Sequence, residues 1–255
     1  MRCVIMDMRI VILNCCGSVG KTTLATHFVA PRIPDAEIFS VESINESLSN
    51  FGVENEAMRG NDFEKLYKRM LVAQNAIIDV GASNVESFLG KMTGFDEGHD
   101  EFDIFLIPTV PGAKEAKETL QTIYALKSIG VPAEKIKIIF NKVVRDVEAE
   151  FSELLNYLRT NKKTYECDYD IKAVVYDHSS FSTLSMRKVQ LSTVMGDSTD
   201  YKAQLRALDK TSKNYKSDFN RISDMIILQK TAKNININFD ELWSVLFAKN
   251  EMKVE

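Results

Sequence analysis

Short apolar runs alternate along this chain with longer amphipathic stretches. The runs are Ile10–Leu13, Glu37–Val41, Asn75–Gly81, Phe102–Ile107, Ile136–Phe140 and Ile171–Tyr176. Most are rich in Ile, Val and Phe and lack in-out alternation, which predicts strands buried on both faces of a parallel sheet. Between them apolar residues recur at helical spacing: Leu24, Phe28 and Val29; Phe63, Leu66, Tyr67, Met70 and Leu71; Val85, Phe88, Leu89 and Met92. Further on come Ala116, Leu120, Ile123, Tyr124 and Leu126 within Ala113–Ile129, then Val147, Phe151, Leu154, Leu155 and Leu158. Ser83-Asn84-Val85-Glu86 reads as a capping box opening the third helix, and Gly130 as the stop of the fourth. Strands alternating with helices predict an α/β fold, a three-layer, doubly wound, mostly parallel sheet of Rossmann-like type.

Past the last run the pattern turns helical. Thr199 to Lys230 reads as one long helix with a buried stripe of Leu205, Leu208, Tyr215, Phe219, Ile222 and Ile226, and Phe239–Phe247 as a separate terminal helix holding the only Trp, Trp243. The 255 residues are long enough for one large domain, with a core over about 9–180 and a C-terminal helical extension over about 181–255.

Chemistry concentrates where the first run ends. Arg9 to Val29 reads strand, glycine loop, helix, with G-S-V-G-K-T-T at 17–23. Glycines let backbone N–H groups close on an oligophosphate at the start of a helix. Gly17, Ser18, Val19, Gly20, Lys21, Thr22 and Thr23 are therefore the candidate phosphate-binding residues. Lys21 bridges the outer phosphates in this reading, and the Thr22 hydroxyl ligates Mg²⁺. The first glycine of the full G-x-x-x-x-G-K-[ST] pattern is replaced by Cys15. Asp79, ending its apolar run, is the acid expected to reach the Mg²⁺ shell. Glu42 stands just past the second strand, and the polar stretch Ser43–Asn61 reads as a mobile loop. Asn141 closes the fifth strand, where an amide can read a purine edge. Val144 stands where a guanine-reading Asp would follow an Asn-Lys pair, which favours adenine. The loop Asp177–Phe181 borders the base in this reading, with His178 a packed or hydrogen-bonded residue.

The remaining composition narrows the picture. A net charge of −4 argues against coating nucleic acid by bulk electrostatics, although Lys202, Arg206, Lys210, Lys213 and Lys216 suggest a local basic face for direct DNA contact. No apolar run has membrane-spanning length, and Met1–Met8 reads as a tail, with translation starting at Met1, Met6 or Met8. The four cysteines form no C-x-x-C pair, which fits a reduced, cytoplasmic compartment; Cys15 and Cys16 read as small residues in a tight loop. His27, His99 and His178 have no zinc-ligand spacing.

Taken together, G-S-V-G-K-T-T at 17–23, the acid at 42, I-I-D-V-G at 77–81, I-P at 107–108 and F-N-K at 140–142 resemble the ParA/MinD class of P-loop ATPases. A-P-R-I-P at 30–34, V-E-S-I-N at 41–45 and D-V-G-A-S-N-V-E at 79–86 are similar to the StbB-type plasmid stability proteins within it. The resemblance spans about residues 9–180. It implies a nucleotide-gated homodimer that binds ATP and Mg²⁺ and works with a DNA-binding partner in plasmid maintenance or conjugative DNA transfer. By motif position, Lys21 and Thr22 hold phosphates and metal, Asp79 serves the metal shell and Asn141 the adenine. Glu42 takes the place of an Asp that orients the attacking water. The class carries an extra lysine that reaches the partner's nucleotide; Cys16 stands there, which implies slow hydrolysis. Two other readings stay open: a nucleotide-binding adaptor without turnover, and a small-molecule kinase or ATP-dependent ligase, against which stands the single basic residue, Arg59, of the Ser43–Asn61 loop.

Overall fold

The computed structural model describes residues 8–42, 56–58 and 63–247, with the backbone alone described at 56–58. Seven strands make one sheet: β1 (Arg9–Ile12), β2 (Glu37–Val41), β3 (Glu56–Met58), β4 (Ala76–Val80), β5 (Ile104–Thr109), β6 (Ile136–Val143) and β7 (Val174–Tyr176). Their order is β3-β2-β4-β1-β5-β6-β7, and every pairing is parallel. The helices are α1 (Lys21–Leu24, continued by wider and tighter turns to Arg32), α2 (Phe63–Met70), α3 (Val85–Met92), α4 (Ala113–Ser128), α5 (Val147–Glu150), α6 (Ser152–Thr160), α7 (Ser180–Arg187), α8 (Leu191–Gly196), α9 (Tyr201–Arg206) and α10 (Tyr215–Phe247).

The apolar strands sort their side chains onto two faces because successive residues point to opposite sides. Val11, Phe39, Ile78, Val80, Phe105 and Ile107 join the core under α2, α3, α4 and α6. Ile10, Ile12, Ile38, Ile77, Leu106 and Ile139 join a second core with α1, α7, α8 and α10. Two cores on one sheet make the three layers. Chain order departs leftward from β1 to β2 and later rightward to β5, so the loop after β1 opens where the winding reverses, between β4 and β5. In doubly wound sheets that crevice takes the ligand.

Several expectations are corrected. Glu56–Met58 lies inside the stretch read as a mobile loop and forms edge strand β3; the rest of Ser43–Asn61 falls outside the described residues. Met1–Asp7 also falls outside them, whereas Met8, read as tail, is buried and donates its N–H to Asn75 Oδ1 at 2.8 Å. Tyr124, expected inward, is 57% exposed, and Leu71 lies exposed past the end of α2. The helix through Phe151 breaks there into α5 and α6, although its apolar residues are all buried. A tight turn at Ala82–Asn84 takes up Ser83 and moves the start of α3 to Asn84, which makes no side-chain cap, so the expected capping box led by Ser83 is out of register.

The largest revision is C-terminal. Thr199–Lys230 is not one helix: α9 ends at Arg206, and Asp209 Oδ1 accepts from the Thr211 N–H and hydroxyl to turn the chain. α10 then runs 33 residues, about 50 Å, and absorbs Phe239–Phe247. Its buried stripe is Ile222, Met225, Leu228, Ala232, Ile235, Phe239, Leu242 and Leu246, at steps of three and four. Leu205, Leu208, Tyr215 and Ile226 are only partly buried and Phe219 is exposed. The five basic residues are exposed but divided among α9, the turn and the start of α10, not on one helical face.

α10 packs across α1, where Phe239 and Trp243 meet Phe28 with ring centroids 5.3 and 5.8 Å away. It also finishes the sheet: Asn238 Nδ2 donates to Val174 O at 3.0 Å, and its Oδ1 accepts from Tyr176 N at 3.2 Å. No helix among the described residues is long and apolar enough to cross a membrane.

Candidate functional site

The loop leaving β1 is strapped down on one side by a buried polar network. Asn14, fully buried, donates to Pro108 O at 2.9 Å and to Thr119 Oγ1 at 3.0 Å. Its Oδ1 accepts from Cys16 N at 2.8 Å, and Thr122 Oγ1 accepts from Cys15 N at 3.0 Å. Two loop N–H groups are thus tied to α4 and to the Asn14 amide, so an anion cradle begins only at Gly17. The left-handed backbone falls at Ser18 (φ 59°) and Gly20 (φ 90°) and not at Cys15. That is why the missing first glycine is tolerated.

Gly17, Ser18, Gly20, Lys21, Thr22, Thr23, Glu42 and Asp79 line one cleft of about 650 Å³, closed on the far wall by Gly81–Asn84. Eight of the ten expected site residues therefore meet. Val19 does not line the cleft, its side chain being fully buried. Asn141 does not line it either. Its Nδ2 donates to Val19 O at 2.8 Å and its Oδ1 accepts from Lys142 N at 2.9 Å, so the amide expected to read a purine is engaged with the loop. The Gly81–Asn84 wall was not anticipated as lining; its signal was its place just past the carboxyl end of β4.

Lys21 is 8% exposed and donates through Nζ to Cys16 O at 2.8 Å and Asn14 O at 3.3 Å. Burial lowers its pKa from the ordinary lysine value, opposed by the charge of Asp79. Thr22 donates its hydroxyl to Asp79 Oδ2 at 2.6 Å. Asp79 Oδ1 is buried with no hydrogen-bond partner among the described residues. A hydroxyl and a carboxylate with one uncommitted oxygen are hard donors, and they suit Mg²⁺, which keeps phosphate and water oxygens as its other ligands. Cys16, at the place of the class's extra lysine, is 3% exposed. Burial and the neighbouring Glu118 and Glu115 push its thiol up to about 12, so it stays protonated and unreactive. His178 Nδ1 accepts from Ser180 N at 3.1 Å, a local loop contact.

Burial raises Asp79 to about 6, despite the Thr22 bond and Lys21. An acid raised above its unfolded value near 4 adds stability below about pH 4, loses it as pH rises toward 6, and stays unfavourable above. Asp79→Asn is therefore expected to stabilise the metal-free protein at pH 7.5 by up to about 3 kcal/mol and to flatten the pH dependence. Urea unfolding at pH 5 and 7.5 checks this; a wild type equally stable at both would show that Asp79 is not held protonated.

No model of a protein family and no curated protein matches the chain. Solved structures do. The cell division ATPase MinD of Pyrococcus furiosus superposes with a TM-score of 0.50 at 12% identity, covering 88% of this chain and 100% of its own. The fold is the one that this MinD structure has. Also similar are MinD in the MinC:MinD complex of Aquifex aeolicus (TM-score 0.49, 12% identity, 86% and 95% covered) and pNOB8 ParA (0.48, 14%, 96% and 99%). In this fold the start of α1, just past the loop after β1, supplies Lys21 and Thr22, the residue following β2 is Glu42, and β4 supplies Asp79.

Proposed function

We propose that this chain is a Mg-ATP-dependent P-loop ATPase that works as a molecular switch. The observation that carries the reading is the convergence of Lys21, Thr22, Asp79 and Glu42 on one cleft behind a glycine-bearing loop. Lys21 trades its carbonyl partners for the outer phosphates, and its ammonium draws charge off the transferred group. Mg²⁺, when bound, neutralises phosphate charge, with Thr22 and Asp79 holding it. Glu42, on the wall facing the loop, orients the attacking water; it is one methylene longer than the Asp the class carries at this place.

The finer reading rests on the resemblance: a cytoplasmic homodimer, acting with a DNA-binding plasmid protein in plasmid stability, partition or conjugative transfer. Direct DNA contact has weaker support, because the basic residues do not lie on one helix. A single domain over 1–255 fits α10, whose buried stripe belongs to the same core as β1 and α1.

Glu42→Gln is expected to leave ATP affinity within about two-fold and to slow ADP release at least about ten-fold, roughly 1.4 kcal/mol of barrier. Hydrolysis at the wild-type rate would remove Glu42 from the mechanism. A second reading, a nucleotide-binding adaptor without turnover, is favoured by the neutral Cys16 thiol where a cation is expected. Tight ATP binding with no ADP release, with DNA present, selects it.

A further inference from the structure

Two adjacent residues at the tip of β6 grip two adjacent carbonyls of the phosphate loop. Asn141 Nδ2 donates to Val19 O at 2.8 Å, and Lys142 Nζ donates to Ser18 O at 3.1 Å. The tip is shaped for this. Lys142 takes a left-handed backbone (φ 57°), and the β6–β7 register slips between Asn141 and Val143. The Asn141 carboxamide is further fixed by Lys142 N donating to Oδ1 at 2.9 Å. It packs so close that a Cβ on Gly20 would lie 2.4 Å from Nδ2.

We infer that Asn141 and Lys142 are positioning residues that aim the phosphate-loop N–H groups, and that Asn141 acts on the phosphates through the loop more than on the base. In a trans peptide the C=O and the following N–H point in opposite directions, and no peptide among the described residues is cis. Drawing the Ser18 and Val19 carbonyls toward β6 turns the Val19 and Gly20 N–H groups the other way. Neither N–H donates to another backbone group among the described residues. Successive N–H groups turned to one side form an anion-binding concavity. With Asn14 and Thr122 gripping the Cys15 and Cys16 N–H groups, the loop is held from both sides. The left-handed Ser18 and Gly20 between the two grips are kept in shape at no cost to the ligand.

The inference rests on the phosphate-binding reading and is tested beside it. Sodium tripolyphosphate, ATP and GTP, each with Mg²⁺, are titrated calorimetrically against wild type, Asn141→Asp, Asn141→Ala and Lys142→Ala. Asn141→Asp keeps the volume and the acceptor for Lys142 N but removes the donor. Both Asn141 variants are expected to weaken tripolyphosphate and ATP by the same factor, about ten-fold, with the ATP-to-GTP ratio unchanged. Lys142→Ala, at an exposed contact, is expected to weaken both about two- to three-fold. If an Asn141 variant fails to unfold cooperatively, the Lys142 variant carries the test. Wild-type tripolyphosphate affinity in all three variants overturns the inference, as does a changed ATP-to-GTP ratio with tripolyphosphate binding intact. A wild type that binds neither ATP nor tripolyphosphate overturns the phosphate-binding reading itself.

Discussion

Lys21→Ala is expected to weaken Mg-ATP binding at least about 100-fold, near 2.7 kcal/mol, while the folded protein persists. The ammonium is buried in the loop, and among the described residues its hydrogen-bond partners are the Cys16 and Asn14 carbonyls. That arrangement is weaker than pairing with an anion, so an arriving triphosphate gains a charge-assisted contact. Burial already lowers the lysine's pKa, and the phosphates restore it by stabilising the charged form. Alanine removes the cation, and it also removes a charge that restrains the pKa of Asp79, so the carboxyl rises further above about 6. Metal retention therefore falls together with phosphate affinity. Calorimetric titration, with sedimentation of the same samples, checks both affinity and any ATP-dependent association. Binding equal to wild type would make the loop an ordinary turn into a helix, and the roles of Thr22 and Asp79 would fall with it.

The largest stability effect is expected away from the cleft. Phe239→Ala should cost about 3–5 kcal/mol, a large share of the 5–15 kcal/mol typical of a domain. Phe239 is fully buried, with ring centroids 5.3 Å from Phe28 and 5.9 Å from Phe181. The Arg32 guanidinium lies 5.7 Å over its ring, so truncation opens a cavity and removes one of the two ring faces that Arg32 covers, while its pairing with Asp240 remains. Phe28 belongs to the helix that begins at Lys21, so loosening α10 frees the rear of the helix that supports the phosphate loop. Urea unfolding with Mg-ATP titration separates the two effects. A loss below about 1 kcal/mol would mean that the Phe239 ring is not what holds α10 against α1.

Much of this architecture was legible from the apolar runs. Strands buried on both faces leave an unbroken hydrophobic signature, and six of the seven announced themselves in that way. The seventh, β3, is three residues at the sheet edge whose pairing is a property of backbone groups, on which Glu-Ala-Met leaves no pattern. The α9–α10 break was hidden because polar helix and polar turn share a composition, and local contacts such as Asp209–Thr211 and Ser212–Asn214 separate them. In the cleft, Lys21, Thr22 and Asp79 followed from local spacing. Glu42 and Asn141 were placed by position at strand ends, and there reasoning from sequence met its limit. An amide at a strand tip can face a ligand or a loop, and the Val19 carbonyl that engages Asn141 lies 122 residues earlier in the chain.

The Asn238 contact has a consequence for how copies of this molecule can meet. An outermost strand offers a row of unused peptide groups that another chain can adopt as its template. On β7 the outward Val174 carbonyl and Tyr176 amide are both taken by one carboxamide reaching from α10, which imitates a single rung of a neighbouring strand. The sheet is thereby terminated from within its own chain. Strand-by-strand growth into a filament is closed at this border, and self-association has to use other faces.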